Sequence, residues 1–196
     1  MPRICAGSLK GRMLKTPGHL RPTEGKVRQA LFNILGEAIL GARVVDGYAG
    51  SGALGIEALS RGAAHVIFIE QDRRCLQAVR ANLDELASGR VEGTWELKTG
   101  DVSEQLVRLA HDGLVADLVF LDPPYKGEEG KKSLNAVASC VMLAASGLLC
   151  IEHARRDEPS ERIGPLALMK RHRYGETVLS FYQLVGGTLR ASGLGD

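Results

Sequence analysis

Several features that would point to other classes of protein are missing from this chain. No apolar run approaches the roughly 20 residues needed to cross a bilayer, and the N-terminus has no apolar region of the kind that opens a secretory signal. A soluble, cytoplasmic protein is therefore expected. Only four cysteines occur in 196 residues, at 5, 75, 140 and 150. None are spaced C-x-x-C and no histidine cluster accompanies them, so neither a zinc site nor a disulfide framework is expected. The chain also lacks internal repeats, low-complexity segments and a composition break that would mark a linker. What remains is ordinary globular composition, 44% hydrophobic and 24% charged, enough for one domain with a sizeable core.

Net charge is only +2, but it is unevenly spread. Residues 1–28 hold seven basic residues and one acid, a formal +6, which leaves −4 for residues 29–196. A basic arm on a neutral-to-acidic body suits a polyanion. The candidate phosphate contacts are Arg3, Lys10, Arg12, Lys15, Lys26 and Arg28. The plainer alternative is a solvated surface hairpin. Residues 2–6 and 11–15 flank Gly7-Ser8-Leu9-Lys10-Gly11, which predicts a β-hairpin arm over residues 1–20. Pro17-Gly18 breaks it. Thr23 is placed to cap a helix over 24–40, where Val27, Leu31, Ile34 and Leu35 recur at helical spacing.

From Arg43 strand and helix alternate. Strands are predicted at 43–47, 65–70, 94–98, 116–121 and 147–151, with helices at 53–61, 72–87, 102–112 and 131–144. Apolar strands each followed by a helix imply a parallel sheet covered on both faces. Residues 166–174 and 177–185, joined by Gly175-Glu176, predict a closing antiparallel hairpin. The expected fold is thus an α/β domain over residues 21–186 with a mostly parallel seven-stranded sheet. Residues 187–196 read as a flexible tail.

Val44-Val45-Asp46-Gly47-Tyr48-Ala49-Gly50-Ser51-Gly52-Ala53-Leu54-Gly55 reads as strand, glycine turn and helix start. It contains G-x-G-x-x-G, and Glu70 follows Gly50 by 20 residues, the spacing of a dinucleotide site. NAD is therefore one candidate ligand. Asp46, placed before the glycines, is poor company for a pyrophosphate and suits a cationic group, such as the ammonium of S-adenosylmethionine. Asp101, after the third strand, is placed to accept from an adenine amine. Each of these acids has a plainer reading as a helix cap; their joint occurrence carries the argument.

Asp122-Pro123-Pro124-Tyr125 ends the fourth strand, in the crevice where open α/β sheets bind ligands. Two prolines stiffen the loop and remove two donors, leaving the Asp122 carboxylate and the carbonyls as acceptors. That array fits a planar exocyclic amine, and Tyr125 offers a face on which an extruded base can stack. The plainer reading is a rigid turn with Tyr125 in the core.

With both motifs in view, the chain resembles the class I S-adenosylmethionine-dependent amino-methyltransferases of nucleic acid. Ile4-x-x-Gly7, Lys10-Gly11-Arg12, Arg21-Pro22-Thr23, Lys26-Val27-Arg28, Ala30–Leu35 and Gly50–Ala63 further resemble the bacterial 16S ribosomal RNA guanine-N2 methyltransferases, over most of residues 3–185. The resemblance implies a Rossmann-like fold, S-adenosylmethionine as cofactor, no metal, and action on 16S ribosomal RNA of the small subunit as a monomer. It implies catalytic roles for Asp122, Pro123, Pro124 and Tyr125. The cofactor would be held by Asp46, by the turn Tyr48, Ala49, Gly50, Ser51 and Gly52, by Glu70 and Gln71, by Asp101 and Val102, and by Arg21 and Thr23. A second basic cluster, Arg171-His172-Arg173-Tyr174, either extends the RNA surface or protects a strand edge. Residues 155–165 match nothing. The rival readings are an adenine-N6 methyltransferase and a non-catalytic RNA-binding protein on the same fold.

Overall fold

The computed structural model describes residues 2–18, 25–87, 92–124, 128–140 and 142–187. Five strands alternate with helices as the apolar runs predict: β1 (Arg43–Gly47), α2 (Ala53–Ser60), β2 (His65–Glu70), α3 (Arg73–Ala87), β3 (Thr94–Thr99), α4 (Val102–His111), β4 (Ala116–Leu121), α5 (Glu129–Ser139) and β5 (Leu143–Ala154). Helix α1 (Gly25–Leu35) precedes them and passes into a 3-10 turn, Gly36–Ile39. The chain closes with β6 (Arg162–Ile163), β7 (Leu166–Tyr174) and β8 (Thr177–Leu184).

All strands join one sheet in the order β3-β2-β1-β4-β5-β8-β7-β6. β1 to β5 are parallel, and β8 enters antiparallel between β5 and β7. Among the described residues the sheet has eight strands rather than the expected seven. The addition is β6, which pairs Arg162 and Ile163 with Ala167 and Leu166. Two residues show no periodicity, so the stretch 155–165 gave no strand signal. The second difference is at α5, which stops at Ser139 and not near 144. Leu143 already pairs with Ala116, and a bulge separates that contact from the main ladder beginning Leu118–Leu148.

Alternate residues of the strands feed two apolar layers. Val44, Val66, Phe68, Phe120 and Cys150 face α1, α2 and α3 through Phe32, Leu35, Ile56, Leu59 and Val79. Val45, Ile67, Val119, Leu121 and Ile151 face α4 and α5 through Leu106, Leu109, Leu134 and Val137. Phe32 and Phe120 meet edge-on at 5.9 Å.

Residues 2–18 lie on the first layer. Arg3 and Met13 form an antiparallel bridge, and the Leu14 N–H donates to the Pro2 carbonyl at 2.9 Å. Ile4, Leu9 and Leu14 are buried with α1 and α2. At Gly7, with φ +80°, a Cβ would stand 1.8 Å from the Ser60 carbonyl oxygen, so only glycine permits this approach. Glu57, fully buried on α2, accepts from the Cys5 and Ala6 N–H groups at 2.7 and 3.0 Å. It also accepts from the Arg61 guanidinium at 2.8 Å.

Candidate active site

β1 is flanked by β2 on one side and β4 on the other, and from there the strand order runs outward in both directions. Its carboxyl end is therefore the switch point of the sheet, where ligands bind in open α/β folds. Asp46, Glu70, Asp101 and Asp122 all lie at the carboxyl ends of adjacent strands, because each ends or closely follows a strand of five or six residues.

Asp46 is 1% exposed, and one oxygen accepts from the Gly55 N–H of α2 at 2.8 Å. Burial pushes its carboxyl up to about 7, and the nearby Asp122 and Glu70 charges push the same way against that hydrogen bond. A carboxylate crowded by carboxylates fits a cation. This set of acceptors thus suits the ammonium of an amino-acid moiety and not a pyrophosphate.

The turn that follows is held in left-handed geometry at Tyr48, Gly50 and Gly52, with φ of 65°, 57° and 79°. Tyr48 is not glycine, so its conformation costs roughly 1–3 kcal/mol and persists because the surroundings enforce it. Its hydroxyl donates to the Glu129 carbonyl at 2.9 Å, which ties the turn to α5. Burial raises that phenol to about 12. The Ala49 N–H donates to the Ile69 carbonyl at 3.0 Å. Glu70 closes the turn from β2. One oxygen accepts from the Gly50 N–H at 2.8 Å, the other from the Gln71 and Asp72 N–H groups at 2.8 Å each. Asp101 caps α4 by accepting from the Glu104 N–H at 3.1 Å, as its plainer reading supposed. Its neighbour Val102 is buried, and Asp101 itself is exposed.

Asn82 of α3 is a residue the sequence reading missed. Buried to 2% exposure, it donates to the Ser51 carbonyl at 2.9 Å and to the Lys15 carbonyl at 2.9 Å. Its carbonyl oxygen accepts from the Lys15 N–H at 2.8 Å. One amide thus holds both the glycine turn and the N-terminal segment. The only signal available was a polar residue between Val79 and Leu83 on an otherwise apolar face.

Asp122 and Pro123 extend β4 beside β1, and the Asp122 N–H approaches the Gly47 carbonyl at 3.5 Å. Pro123 is buried and Pro124 exposed. They border a cavity of about 330 Å³ whose other walls include Ile151, Glu152, Ala154 and Pro159. That volume falls at the lower end of ligand sites, about 300–1,000 Å³. Residues 155–165, which resembled nothing, supply part of its rim. Arg171 holds that rim by donating to the Pro159 carbonyl, and Tyr182 does so by donating to the Ser160 carbonyl at 2.8 Å. Arg21, Thr23 and Tyr125 lie outside the described residues, as do residues 188–196 of the expected tail.

Of the basic residues, Arg3, Lys10, Arg12, Lys15 and Lys26 are exposed. Arg28 corrects the sequence expectation. It is 2% exposed, donates to the Arg3 carbonyl at 2.6 Å and lies 3.9 Å from Glu57, so its guanidinium is an internal strut and not a phosphate contact. Helical spacing placed it beside Lys26 on the sequence, but it shares the buried face with Val27 and Leu31. In the second cluster, Arg171 and Arg173 face Glu158, with Arg173 bonded to it at 3.0 Å. His172 packs edge-on against Phe181 at 5.8 Å. That cluster fastens the cavity rim to the sheet.

Comparison with known proteins agrees with this geometry. Residues 2–183 match the family model described as "Conserved hypothetical protein 95". Ribosomal RNA small subunit methyltransferase D of Escherichia coli (strain K12) is 38% identical over 152 residues, covering 76% of this chain and 73% of that one. The protein of the same name from Haemophilus influenzae (strain ATCC 51907 / DSM 11121 / KW20 / Rd) is 32% identical over 185 residues, covering 92% and 93%. The solved structure of yhhF from Escherichia coli superposes with a TM-score of 0.81 at 33% identity, covering 93% of this chain and 97% of that one. The chain belongs to the family described as Conserved hypothetical protein 95, and its relatives include proteins named ribosomal RNA small subunit methyltransferase D.

Proposed function

We propose that the protein transfers a methyl group from S-adenosylmethionine to the exocyclic N2 of a guanine in 16S ribosomal RNA, within the small subunit or its assembly intermediate. The observation that carries this reading is the placement of Asp122-Pro123-Pro124 beside buried Asp46 at the switch point, with a base-sized cavity on its far side. The cofactor supplies a methyl group on a sulfonium, already activated for transfer.

The protein's part is placement. Asp46 holds the ammonium of the amino-acid moiety, and the Tyr48–Gly52 turn brings the backbone close to the nucleoside. Glu70 and Gln71 serve the ribose through Glu70's remaining acceptor capacity. Asp101 and the Val102 N–H face the adenine, with Arg21 and Thr23 closing over the carboxylate end. Asp122 and the Pro123 carbonyl accept the two N–H bonds of the target amine and aim its lone pair. Asp122 then takes the proton released as the product forms. Tyr125 stacks on the extruded base, while Pro124 keeps the loop rigid. Arg3, Lys10, Arg12, Lys15 and Lys26 meet phosphates around the target. The enzyme works as a cytoplasmic monomer.

Methyl-tritiated cofactor tests this on small-subunit particles and on naked RNA. Label is expected on guanine. Asp122→Ala should lower transfer by about a hundredfold or more, while cofactor affinity by calorimetry stays within threefold. Label on adenine, or loss of cofactor binding in the variant, would overturn the assignment.

A further inference from the structure

The cavity beside Pro123 and Pro124 has an uneven distribution of charge. Four carboxylates line it: Glu128, Glu152, Asp157 and Glu158. Three are exposed at the rim. Glu128 pairs with Lys131 at 3.1 Å, Asp157 lies 3.6 Å from Arg156, and Glu158 is bonded to Arg173 at 3.0 Å. Glu152 differs from them in burial, at 7% exposed, and it also lines a small pocket with Val27, Arg28 and Leu31. The neighbouring His153 lines the cavity as well, with one ring nitrogen on the Ala154 carbonyl at 2.9 Å and the other on Ser180 Oγ at 2.7 Å.

The sheet register fixes where Glu152 stands. β4 and β5 run parallel with Phe120 opposite Cys150 and Leu121 opposite Ile151. The next residues are Asp122 and Glu152, so the two carboxylates extend neighbouring strands side by side, strands being about 4.8 Å apart. Alternation puts both on the face that carries Phe120 and Cys150. Both charges also bear on the buried Cys150 thiol. A buried carboxylate has thus been placed one strand beyond the group assigned to the reacting amine.

We propose that Glu152 is the residue that selects guanine, by accepting the N1–H on the base's Watson–Crick edge. The inference rests on the guanine-N2 reading above. Guanine carries two kinds of donor on adjacent atoms, the N2 amine and the N1 hydrogen. Asp122 takes the first and Glu152 the second, so two carboxylates on adjacent strands read two adjacent donors. Adenine has a lone pair at N1, which would face a carboxylate acceptor to acceptor. Sites built to bond a buried donor reject analogues that lack it by orders of magnitude.

2-Aminopurine separates this role from a structural one, because it keeps the N2 amine but carries a lone pair at N1. Particles are reconstituted on RNA with guanine or 2-aminopurine at the position that the wild-type protein labels, and kcat/KM is measured for each. The wild type should prefer guanine by about a hundredfold or more. Glu152→Gln should lose at least tenfold on guanine, and its preference should shrink at least tenfold, since a carboxamide N–H can donate to the ring nitrogen. Cofactor affinity should stay within threefold. Equal use of both bases by the wild type overturns the proposal, whether or not the variant folds. So does a variant that slows both substrates by the same factor. Wild-type label on a base other than guanine would instead remove the guanine reading on which the proposal rests.

Discussion

Glu57 and Asp46 are both buried carboxylates associated with α2, one on the helix and one facing its N-terminus, and their surroundings differ in kind. Glu57 is surrounded by donors: two backbone N–H groups of the N-terminal segment, the Arg61 guanidinium and, at 3.9 Å, that of Arg28. Arg61 in turn lies over the Phe32 ring at 4.8 Å. Asp46 has one described backbone donor and two acidic neighbours. The first carboxylate is compensated from within the fold and holds it together. The second carries an imbalance that burial alone makes costly, and a cationic ligand would relieve it. Burial does not separate the two roles; the completeness of the compensation does.

The largest expected effect comes from disturbing the complete site. Glu57→Leu removes the acceptor for two N–H groups and leaves Arg28 buried without its counter-ion. Breaking such a pair costs about 3–5 kcal/mol, to be read by urea denaturation. A loss below about 1 kcal/mol would show that the cluster is not what fastens residues 2–18 to the body.

Asp46→Asn should act in the opposite direction on stability. The folded carboxyl sits at about 7 against a usual 3.8, so the native state binds more protons than the unfolded chain between those values. Asp46 therefore contributes stability that is fully present below pH 4 and lost as pH rises through 7. The asparagine variant should match the wild type near pH 4 and exceed it by about 1–3 kcal/mol at pH 8. It should also bind S-adenosylmethionine about a hundredfold more weakly, the trade of stability for function expected at a binding site. A variant less stable at pH 8 would contradict the contrast with Glu57.

The smallest effect sharpens the same contrast without a mutation. A cation that binds ionised Asp46 must displace its proton, so cofactor affinity should rise by about fivefold from pH 6 to pH 7, by about tenfold from pH 6 to pH 8, and level off above that. Calorimetry in buffers of different ionisation enthalpy should show a proton released near pH 6 and none at pH 8. A flat affinity profile would place the ammonium elsewhere.

Much of this was readable in the chain, for identifiable reasons. β1, β2 and β4 are short apolar runs ended by Gly47, Glu70 and Asp122, so pattern and punctuation agreed and their bounds came out correctly. The acids at their ends could be found because a parallel sheet puts strand ends together. What stayed hidden depended on partners far along the chain. Arg28 is an arginine in a basic segment, and nothing local shows that Glu57 lies above it. Asn82 is one polar residue in a helix until Lys15 and Ser51 are placed against it. β6 exists only as a two-residue ladder with β7, and α5 ends short of its apolar pattern because Leu143 and Ala144 belong to β5, where Leu143 pairs with Ala116.

The N-terminal segment has a further consequence, in the order of folding. Its anchors are distant: Cys5 and Ala6 meet Glu57 across 52 and 51 positions, and Lys15 meets Asn82 across 67. Those partners are in place only once α2 and α3 have formed against the sheet. Contacts at such separation must wait for the intervening loop to close. Residues 2–18 are therefore among the last to settle. By docking they lock Ser51 of the glycine turn through Asn82, so the cofactor turn is completed at the end of folding.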